Sequence, residues 1–231
     1  MRMLILAVVV LAAANVLVNR LGPGLYVPVC VVTAAVLVLI ARRSGITWEE
    51  LGLGRSSARR GLRWGLVLVG AVLLVYAVGL ALPLTREAFH DERAAELSAG
   101  QLVYRVLVRV PFGTVLLEEI AFRGVLWAMM RRRWGAAWAT AVSSAMFGLW
   151  HIQPSRGLTG SNAAVETLFG TGTTGVALSV TAAVLGTALA GVVFCELRRR
   201  SGSLIPPMAL HCALNSVGYA LAWAVGRSWG S

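Results

Sequence analysis

Residues 106–130, VLVRVPFGTVLLEEIAFRGVLWAMM, form an apolar stretch long enough to cross a membrane. This stretch contains Glu118, Glu119 and Arg123. An ionised side chain at the centre of a bilayer costs at least about 2.5–3.5 kcal/mol on insertion scales. Three such residues within six positions therefore require polar partners elsewhere in the protein.

Similar apolar stretches recur along the whole chain. Of its 231 residues 58% are hydrophobic and only 13% are charged, whereas soluble domains carry about 25% charged residues. We therefore predict an all-α, polytopic membrane helical bundle, in which residues 1–231 form a single integral membrane domain. About seven transmembrane helices are predicted, at residues 3–19, 25–41, 62–82, 104–130, 135–151, 173–195 and 204–225.

The arginines predict the orientation of this bundle. All 21 basic residues are arginine, and 13 of them fall on the side that carries the N-terminus, while five fall on the other side. Because cytoplasmic loops carry an excess of basic residues, we expect a multi-pass protein of the cell membrane with its N-terminus inside and its C-terminus outside. The other three, Arg105, Arg109 and Arg123, lie within a predicted span.

The net charge of +11 does not indicate nucleic-acid binding. Most arginines cluster at the ends of apolar stretches, a pattern typical of topology signals and of contact with anionic headgroups. We therefore expect the lipid bilayer as a partner and no nucleic acid. Residues 1–19 have some features of a signal peptide, but their apolar part is long and further spans follow at once, so we expect an uncleaved first helix.

Two connections are longer than a turn. Residues 46–63 begin with Thr47 and Glu50 at the spacing of a capping box, which predicts a short interfacial helix followed by a basic stretch. Residues 152–172 are rich in Gly, Ser and Thr and follow His151 directly. Two interpretations of this second connection remain open: a lid over a site near His151, or a disordered connector.

The sixth predicted span carries Gly175, Ala182, Gly186 and Ala190, small residues that recur at helical spacing. This small-residue stripe predicts close packing against another helix rather than chemistry.

Helical spacing divides the charged residues of the opening stretch into two groups. Glu119 and Arg123 are four residues apart, so they share a helix face and can form an ion pair. Glu118 points about 100° away and is left without that partner. A carboxylate of this kind suits a general base, although a purely structural ion cluster is the alternative.

Two of the three histidines also lie in predicted spans. His211 and Asn215 are four residues apart, and together they can stabilise an oxygen that gains negative charge, although such pairs also hold helices together. His151 lies beside Trp150, a setting that by itself is typical of an interfacial anchor. His90, the third histidine, lies in a polar loop.

Together these residues resemble the CAAX-protease and bacteriocin-processing family, which includes the type II CAAX prenyl endopeptidases. Residues 118–124, EEIAFRG, match its E-E-x-x-x-R motif; residues 147–151, FGLWH, are similar to its F-x-x-x-H motif; and residues 211–215, HCALN, resemble its H-x-x-x-N motif. The resemblance covers roughly residues 100–220.

The resemblance implies an intramembrane endopeptidase that acts on a peptide or on a lipid-anchored protein. The carboxylate of one glutamate and a histidine would activate a water molecule, while a second histidine and an asparagine would stabilise the oxyanion. By motif position, the activating residues are Glu118 and His151, the oxyanion residues are His211 and Asn215, and the supporting residues are Glu119 and Arg123.

The need for a metal stays open at the level of the sequence. Glu118, His151 and His211 are candidate ligands, because two histidines and a glutamate can make a catalytic zinc site with a position left for water. No H-E-x-x-H motif is present. If Glu118 were a zinc ligand, another group, such as Glu119, would have to supply the base. We favour a reaction without a cofactor, with zinc as the alternative.

Two other functions compete with proteolysis. In a proton-linked transporter, Glu118, His151 and His211 would relay protons; such proteins carry inverted repeats or matched broken helices, and the sequence shows neither. A catalytically silent bacteriocin-immunity or scaffold protein is the other alternative, although all of the motif residues are intact.

Overall fold

The computed structural model describes residues 1–20, 22–86, 89 and 91–229, and every regular element within these residues is a helix. The prediction of an all-α protein is therefore confirmed. By length and composition, five helical segments of the described chain are suited to crossing a membrane. Arg2–Val18 is a further apolar helix, of 17 residues.

The long helices fall on the apolar stretches that the sequence predicts. Their bounds are α1 (Arg2–Val18), α2 (Pro23–Arg43), α3 (Ala58–Ala81), α4 (residues 99–134), α5 (residues 136–150), α6 (Gly172–Ser201) and α7 (Ile205–Arg227). Short helices lie between them at Trp48–Leu51, Arg55–Ser57, Pro83–Arg86, Glu92–Ala95, Ile152–Ser155 and Ala163–Phe169.

A single residue reverses the chain between α4 and α5. Gly135 has φ 80° and ψ 173°, a conformation that is readily available only to glycine. The two helices then run back along each other, since the Trp127 indole Nε1 donates to Thr140 Oγ1 at 3.1 Å and the Ser143 hydroxyl donates to the Phe122 carbonyl at 2.7 Å. The sequence predicts a connection over residues 131–134; that detail is wrong, because these residues continue α4.

Helix α4 is wider than an α-helix over two stretches, Arg105–Val115 and Glu119–Leu126, which are π-helical. The first contains Pro111, whose ring cannot donate the backbone hydrogen bond of a regular helix. π-Helical turns are rare and are found mostly at functional sites. Here they flank Glu118.

The distribution of polarity is inverted relative to a soluble protein. Glu119 and Arg123 are fully buried at the centre of the bundle, whereas Val67 of α3 is 72% exposed and Leu189 of α6 is 70% exposed. Large apolar side chains that are exposed to this extent are favoured in contact with lipid rather than with water. The protein is therefore an integral membrane protein.

The arginine-rich end of the bundle is fastened by the connection after α2. Thr47 and Glu50 form the predicted capping box, and Arg132 donates to both carboxylate oxygens of Glu50 at 2.7 Å. This bidentate contact lowers the pKa of Glu50 to about 2. Arg198 of α6 donates to the Glu50 carbonyl at 2.7 Å, so the short helix joins α4 to α6.

The centre of the small-residue stripe of α6 does not make the packing contact that the sequence predicts. A Cβ atom at Gly186 would meet no other atom within 4 Å. The contact between α5 and α6 lies on a neighbouring face: a Cβ at Gly148 would lie 2.6 Å from the Val184 carbonyl oxygen, and one at Gly191 would lie 3.0 Å from Ser144 Cα. The prediction is therefore wrong for the centre of the stripe.

We expect Gly148→Ala to lower the free energy of unfolding by about 1–3 kcal/mol, because backbone at Val184 cannot move away from the added methyl group. The matched variant Gly186→Ala places the same methyl group in open space, and it should raise the free energy of unfolding by up to about 1 kcal/mol through helix propensity. Denaturation of both purified variants in one detergent compares them. Equal responses would contradict the assigned packing face.

Candidate active site

The two adjacent glutamates of α4 are both buried, Glu118 at 4% exposure and Glu119 at 0%. As the spacing predicts, Glu119 Oε1 pairs with Arg123 Nη1, at 3.1 Å, and neither side chain is exposed. Glu118 points away from this pair. The two carboxylates therefore have different partners although they are neighbours in sequence.

Arg123 is held by aromatic rings as well as by Glu119. Its Nε and Nη2 atoms are buried without a hydrogen-bond partner in the described part of the chain. The guanidinium carbon instead lies 3.8 Å from the centre of the Phe147 ring and 4.8 Å from that of Phe194. Cation–π attraction of this kind is strongest where water is excluded, so α5 and α6 hold the cation of α4 in place.

His211 bridges the two carboxylates from α7. Its Nδ1 lies 2.8 Å from Glu119 Oε1, and its Nε2 lies 3.7 Å from Glu118 Oε2. A carboxylate paired with arginine accepts a hydrogen bond, so Nδ1 is the donor and the lone pair of Nε2 in a neutral ring faces Glu118. The prolines at the start of α7 suit its first turn, where no donor is needed.

Residues Trp150 and His151, at the end of α5, complete the surroundings of Glu118. The indole Nε1 of Trp150 donates to Glu118 Oε1 at 2.9 Å. His151 Nδ1 lies 2.8 Å from the Phe147 carbonyl oxygen; a carbonyl only accepts, so Nδ1 donates and Nε2 is free of a proton in the neutral ring. That Nε2 lies 4.0 Å from Glu118 Oε2.

Glu118 Oε2 is thus the focus of the cluster. It is buried, and it has no hydrogen-bond partner within the residues that the structure describes. Two imidazole Nε2 atoms face it, at 3.7 and 4.0 Å. These separations are too long for direct hydrogen bonds, and they are of the size that a bridging water molecule spans.

A cavity of about 690 Å³ reaches this cluster. Glu118, His151 and Asn215 line it, whereas Glu119, Arg123 and His211 are not among its described lining residues. The other lining residues are Val18, Asn19, Tyr26, Asp91, Arg93, Ala94, Arg105, Arg109, Val110, Thr114, Trp150, Pro154, Ser155, Leu158, Leu214, Gly218, Tyr219 and Ala222.

The connection after α5 forms part of this wall. It contains the short helices Ile152–Ser155 and Ala163–Phe169, and Pro154, Ser155 and Leu158 line the cavity. Of the two interpretations that the sequence leaves open, a disordered connector is therefore wrong for the described residues. Whether the segment moves as a lid stays a prediction.

Five of the six motif residues meet in one cluster, and the sixth, Asn215, lines the cavity that Glu118 and His151 also line. Sequence reasoning missed Trp150 as a partner of Glu118, although its position beside His151 was a usable signal. It also missed Phe147 and Phe194 as the aromatic support of Arg123. No local pattern marks Phe194, because its role depends on where α6 packs. His90 lies outside the described residues.

The cluster, as it stands, does not fit a zinc ion. Two histidine nitrogens and the Glu118 oxygen are the candidate ligands, but their separations of 3.7 and 4.0 Å exceed the roughly 3.3 Å between ligand atoms in a tetrahedral zinc site. Across residues 1–20, 22–86, 89 and 91–229, no group of three or more His, Cys, Asp and Glu side chains is arranged to hold a metal ion.

Comparison with known proteins gives one match. The family model described as type II CAAX prenyl endopeptidase Rce1-like matches residues 100–217, which is just over half of the chain. The match contains all six motif residues. No curated protein and no solved structure matches the chain.

We expect Arg123→Met to lower the free energy of unfolding by about 3–5 kcal/mol, because it leaves the buried Glu119 carboxylate without its cation. The double variant Glu119→Gln/Arg123→Met removes both charges and should lose less than the single variant. Arg199→Met, which breaks an exposed ion pair with Glu196, is the control and should cost less than about 1 kcal/mol.

Denaturant unfolding in detergent gives these three values and that of the second single variant, Glu119→Gln. If the double variant loses as much as the two single changes added together, Glu119 and Arg123 do not act as a coupled pair.

Proposed function

Because this chain belongs to the Rce1-like family of type II CAAX prenyl endopeptidases, a protease family, we propose that it is an intramembrane endopeptidase that hydrolyses peptide bonds of membrane-associated substrates. One observation carries this proposal. Glu118 Oε2 is buried without a hydrogen-bond partner in the described residues, and it faces the Nε2 atoms of two histidines. Glu118 also lines a large cavity.

In this proposal Glu118 is the general base. A water molecule binds between Glu118 Oε2 and His151 Nε2, whose 4.0 Å separation allows hydrogen bonds to both. Trp150 holds the other carboxylate oxygen, and the Phe147 carbonyl holds the far side of the imidazole ring. The base therefore keeps its orientation as the substrate enters.

The reaction follows from these positions. Glu118 takes a proton from the water while the water oxygen bonds to the scissile carbonyl carbon. A tetrahedral oxyanion forms. Asn215 lines the cavity and can donate its amide N–H to that oxyanion. The carbon–nitrogen bond then breaks as protonated Glu118 returns the proton to the leaving amine.

Glu119, Arg123 and His211 act through Glu118. His211 contacts both carboxylates, and Arg123 fixes Glu119. This differs from the role that the family resemblance implies for His211, since Asn215 lines the cavity and His211 is not among the described lining residues. We therefore assign His211 to positioning and Asn215 to the oxyanion.

Peptides and lipid-anchored proteins are the proposed substrates, with the bilayer as the surrounding medium. The reaction is proposed to need no cofactor, because a carboxylate and a histidine suffice to activate water. The cell membrane is the proposed location.

We expect Glu118→Gln to lower the rate of peptide cleavage by about a hundredfold to ten-thousandfold, because an amide cannot accept the proton from water. Cleavage of a quenched peptide library by purified protein measures this rate. Glu49→Gln, the same change at the arginine-rich end, is the control, and thermal unfolding shows whether each variant is folded.

Each alternative function predicts a different result. Retained cleavage in Glu118→Gln would remove Glu118 as the base. A wild type that cleaves nothing but carries a proton-linked flux, lost in Glu118→Gln, would indicate a transporter. A wild type without either activity would indicate a scaffold. Stoichiometric zinc that is lost in His211→Ala, with chelator-sensitive cleavage, would overturn the proposal of a cofactor-free reaction.

Seven crossings with the N-terminus inside and the C-terminus outside are also proposed, from the arginine distribution. The cavity is lined by Asn19 at the end of α1, Tyr26 near the start of α2 and Tyr219 in the second half of α7. These residues lie at the end of the bundle opposite Arg42 and Arg132. In this orientation, substrate enters from the external side.

We expect a membrane-impermeant maleimide to label Gly157→Cys in intact cells, and to label Ser56→Cys only after lysis. Both positions are exposed, and the three native cysteines are first replaced by alanine. The reverse pattern would place the cavity entrance in the cytoplasm.

A further inference from the structure

The outer wall of the cavity carries more positive than negative charge. Arg93, Arg105 and Arg109 line it, and Asp91 and Glu118 are the acidic residues among the described lining. Arg93 pairs with Asp91 at 2.6 Å. Neither Arg105 nor Arg109 forms an ion pair with a carboxylate in the described part of the chain.

Both unpaired arginines are held by tyrosines. The guanidinium carbon of Arg109 lies 4.3 Å from the centre of the Tyr26 ring, and that of Arg105 lies 5.0 Å from the centre of the Tyr219 ring. Tyr26 is itself fixed by a hydrogen bond to Thr114 Oγ1 at 3.1 Å. A guanidinium that lies over a ring keeps the N–H groups at its edge free to donate.

The position of these arginines calls for an anionic partner. They lie four residues apart in an apolar helix, where an unpaired cation is costly. A guanidinium matches a carboxylate in shape, with two parallel hydrogen bonds. We propose, on the basis of the protease function proposed above, that Arg105 and Arg109 form a subsite that binds a carboxylate of the peptide substrate.

The distance along α4 sets where that carboxylate lies in the substrate. Arg109 and Arg105 precede Glu118 by nine and thirteen residues, at most about 14 and 20 Å along the axis at 1.5 Å per residue. An extended peptide covers these distances with about four to six residues at 3.3 Å each. The carboxylate therefore lies within about six residues of the scissile bond, either on an acidic side chain or at a free C-terminus.

An anionic lipid is a different partner for the same chemistry. The peptide is favoured because both arginines line the cavity that Glu118 lines, and the lipid-facing surface of the bundle is apolar. A peptide that reaches Glu118 through this cavity passes the two guanidinium groups.

Binding and cleavage together test the subsite. Fluorescent nonapeptides with a single Glu, or with Gln in its place, are bound to the Glu118→Gln protein in nanodiscs of phosphatidylcholine, each peptide with a free or an amidated C-terminus. We expect a carboxylate to tighten binding by about tenfold or more. The double variant Arg105→Gln/Arg109→Gln, made in the same Glu118→Gln background, should remove this preference. The affinities for peptides with and without the carboxylate should then differ by a ratio close to one.

Arg156→Gln is the matched control. It removes the same charge from an exposed position near the cavity that does not line it, and it should keep the preference for the carboxylate. Cleavage of the same peptides by the protein with Glu118 intact then maps the distance between the preferred carboxylate and the scissile bond. A preference that amidation abolishes assigns the terminal carboxylate, and one that survives amidation assigns the side chain.

Three results would overturn the subsite: equal binding of all four peptides, with Glu or Gln and with a free or an amidated C-terminus; a carboxylate preference that persists without the two arginines; or a defect that appears only in nanodiscs containing phosphatidylglycerol. Cleavage without a carboxylate preference rejects the subsite and leaves the protease function standing. A carboxylate preference in binding, from a protein that cleaves no peptide, rejects the protease function and leaves the subsite standing.

Discussion

The carboxylate of Glu119 and the guanidinium of Arg123 lie 3.1 Å apart with neither side chain exposed, and the rest of the site is arranged around this pair. Removing two charges from water is costly, and a buried pair persists only when further contacts compensate both ions. His211 supplies them for the carboxylate, and Phe147 and Phe194 supply them for the cation. Helices α4, α5, α6 and α7 all contribute to the one cluster, so the pair and the packing of the bundle depend on each other.

The same pair sets the chemistry of its neighbour. Because Glu119 occupies the Nδ1 side of His211, the Nε2 side of that ring turns towards Glu118. The Phe147 carbonyl does the same for His151. Both rings therefore present the same nitrogen to one carboxylate oxygen, which has no partner of its own among the described residues. Second contacts of this kind commonly fix the tautomer of a functional histidine.

The cavity joins this buried cluster to one end of the bundle. Glu118, His151 and Asn215 form its inner part, and arginines held by tyrosines form its outer part. At the opposite end, Arg132 pairs with Glu50. The bundle thus separates a structural end, rich in arginine, from an end that admits substrate in the proposed function.

The sequence by itself determined the helical class, the apolar stretches and the ion pair of Glu119 with Arg123, because each depends on local composition or on spacing along one helix. It also singled out the six residues of the candidate site, first from charge within an apolar stretch and helical spacing and then through the family resemblance. Only the tertiary structure decided that Gly135 alone reverses the chain, that Gly148 rather than Gly186 packs between helices, and that Asn215 is among the described lining residues of the cavity while His211 is not. These features depend on how helices distant in sequence approach one another, and the pattern along a single helix carries no record of the partner that it meets.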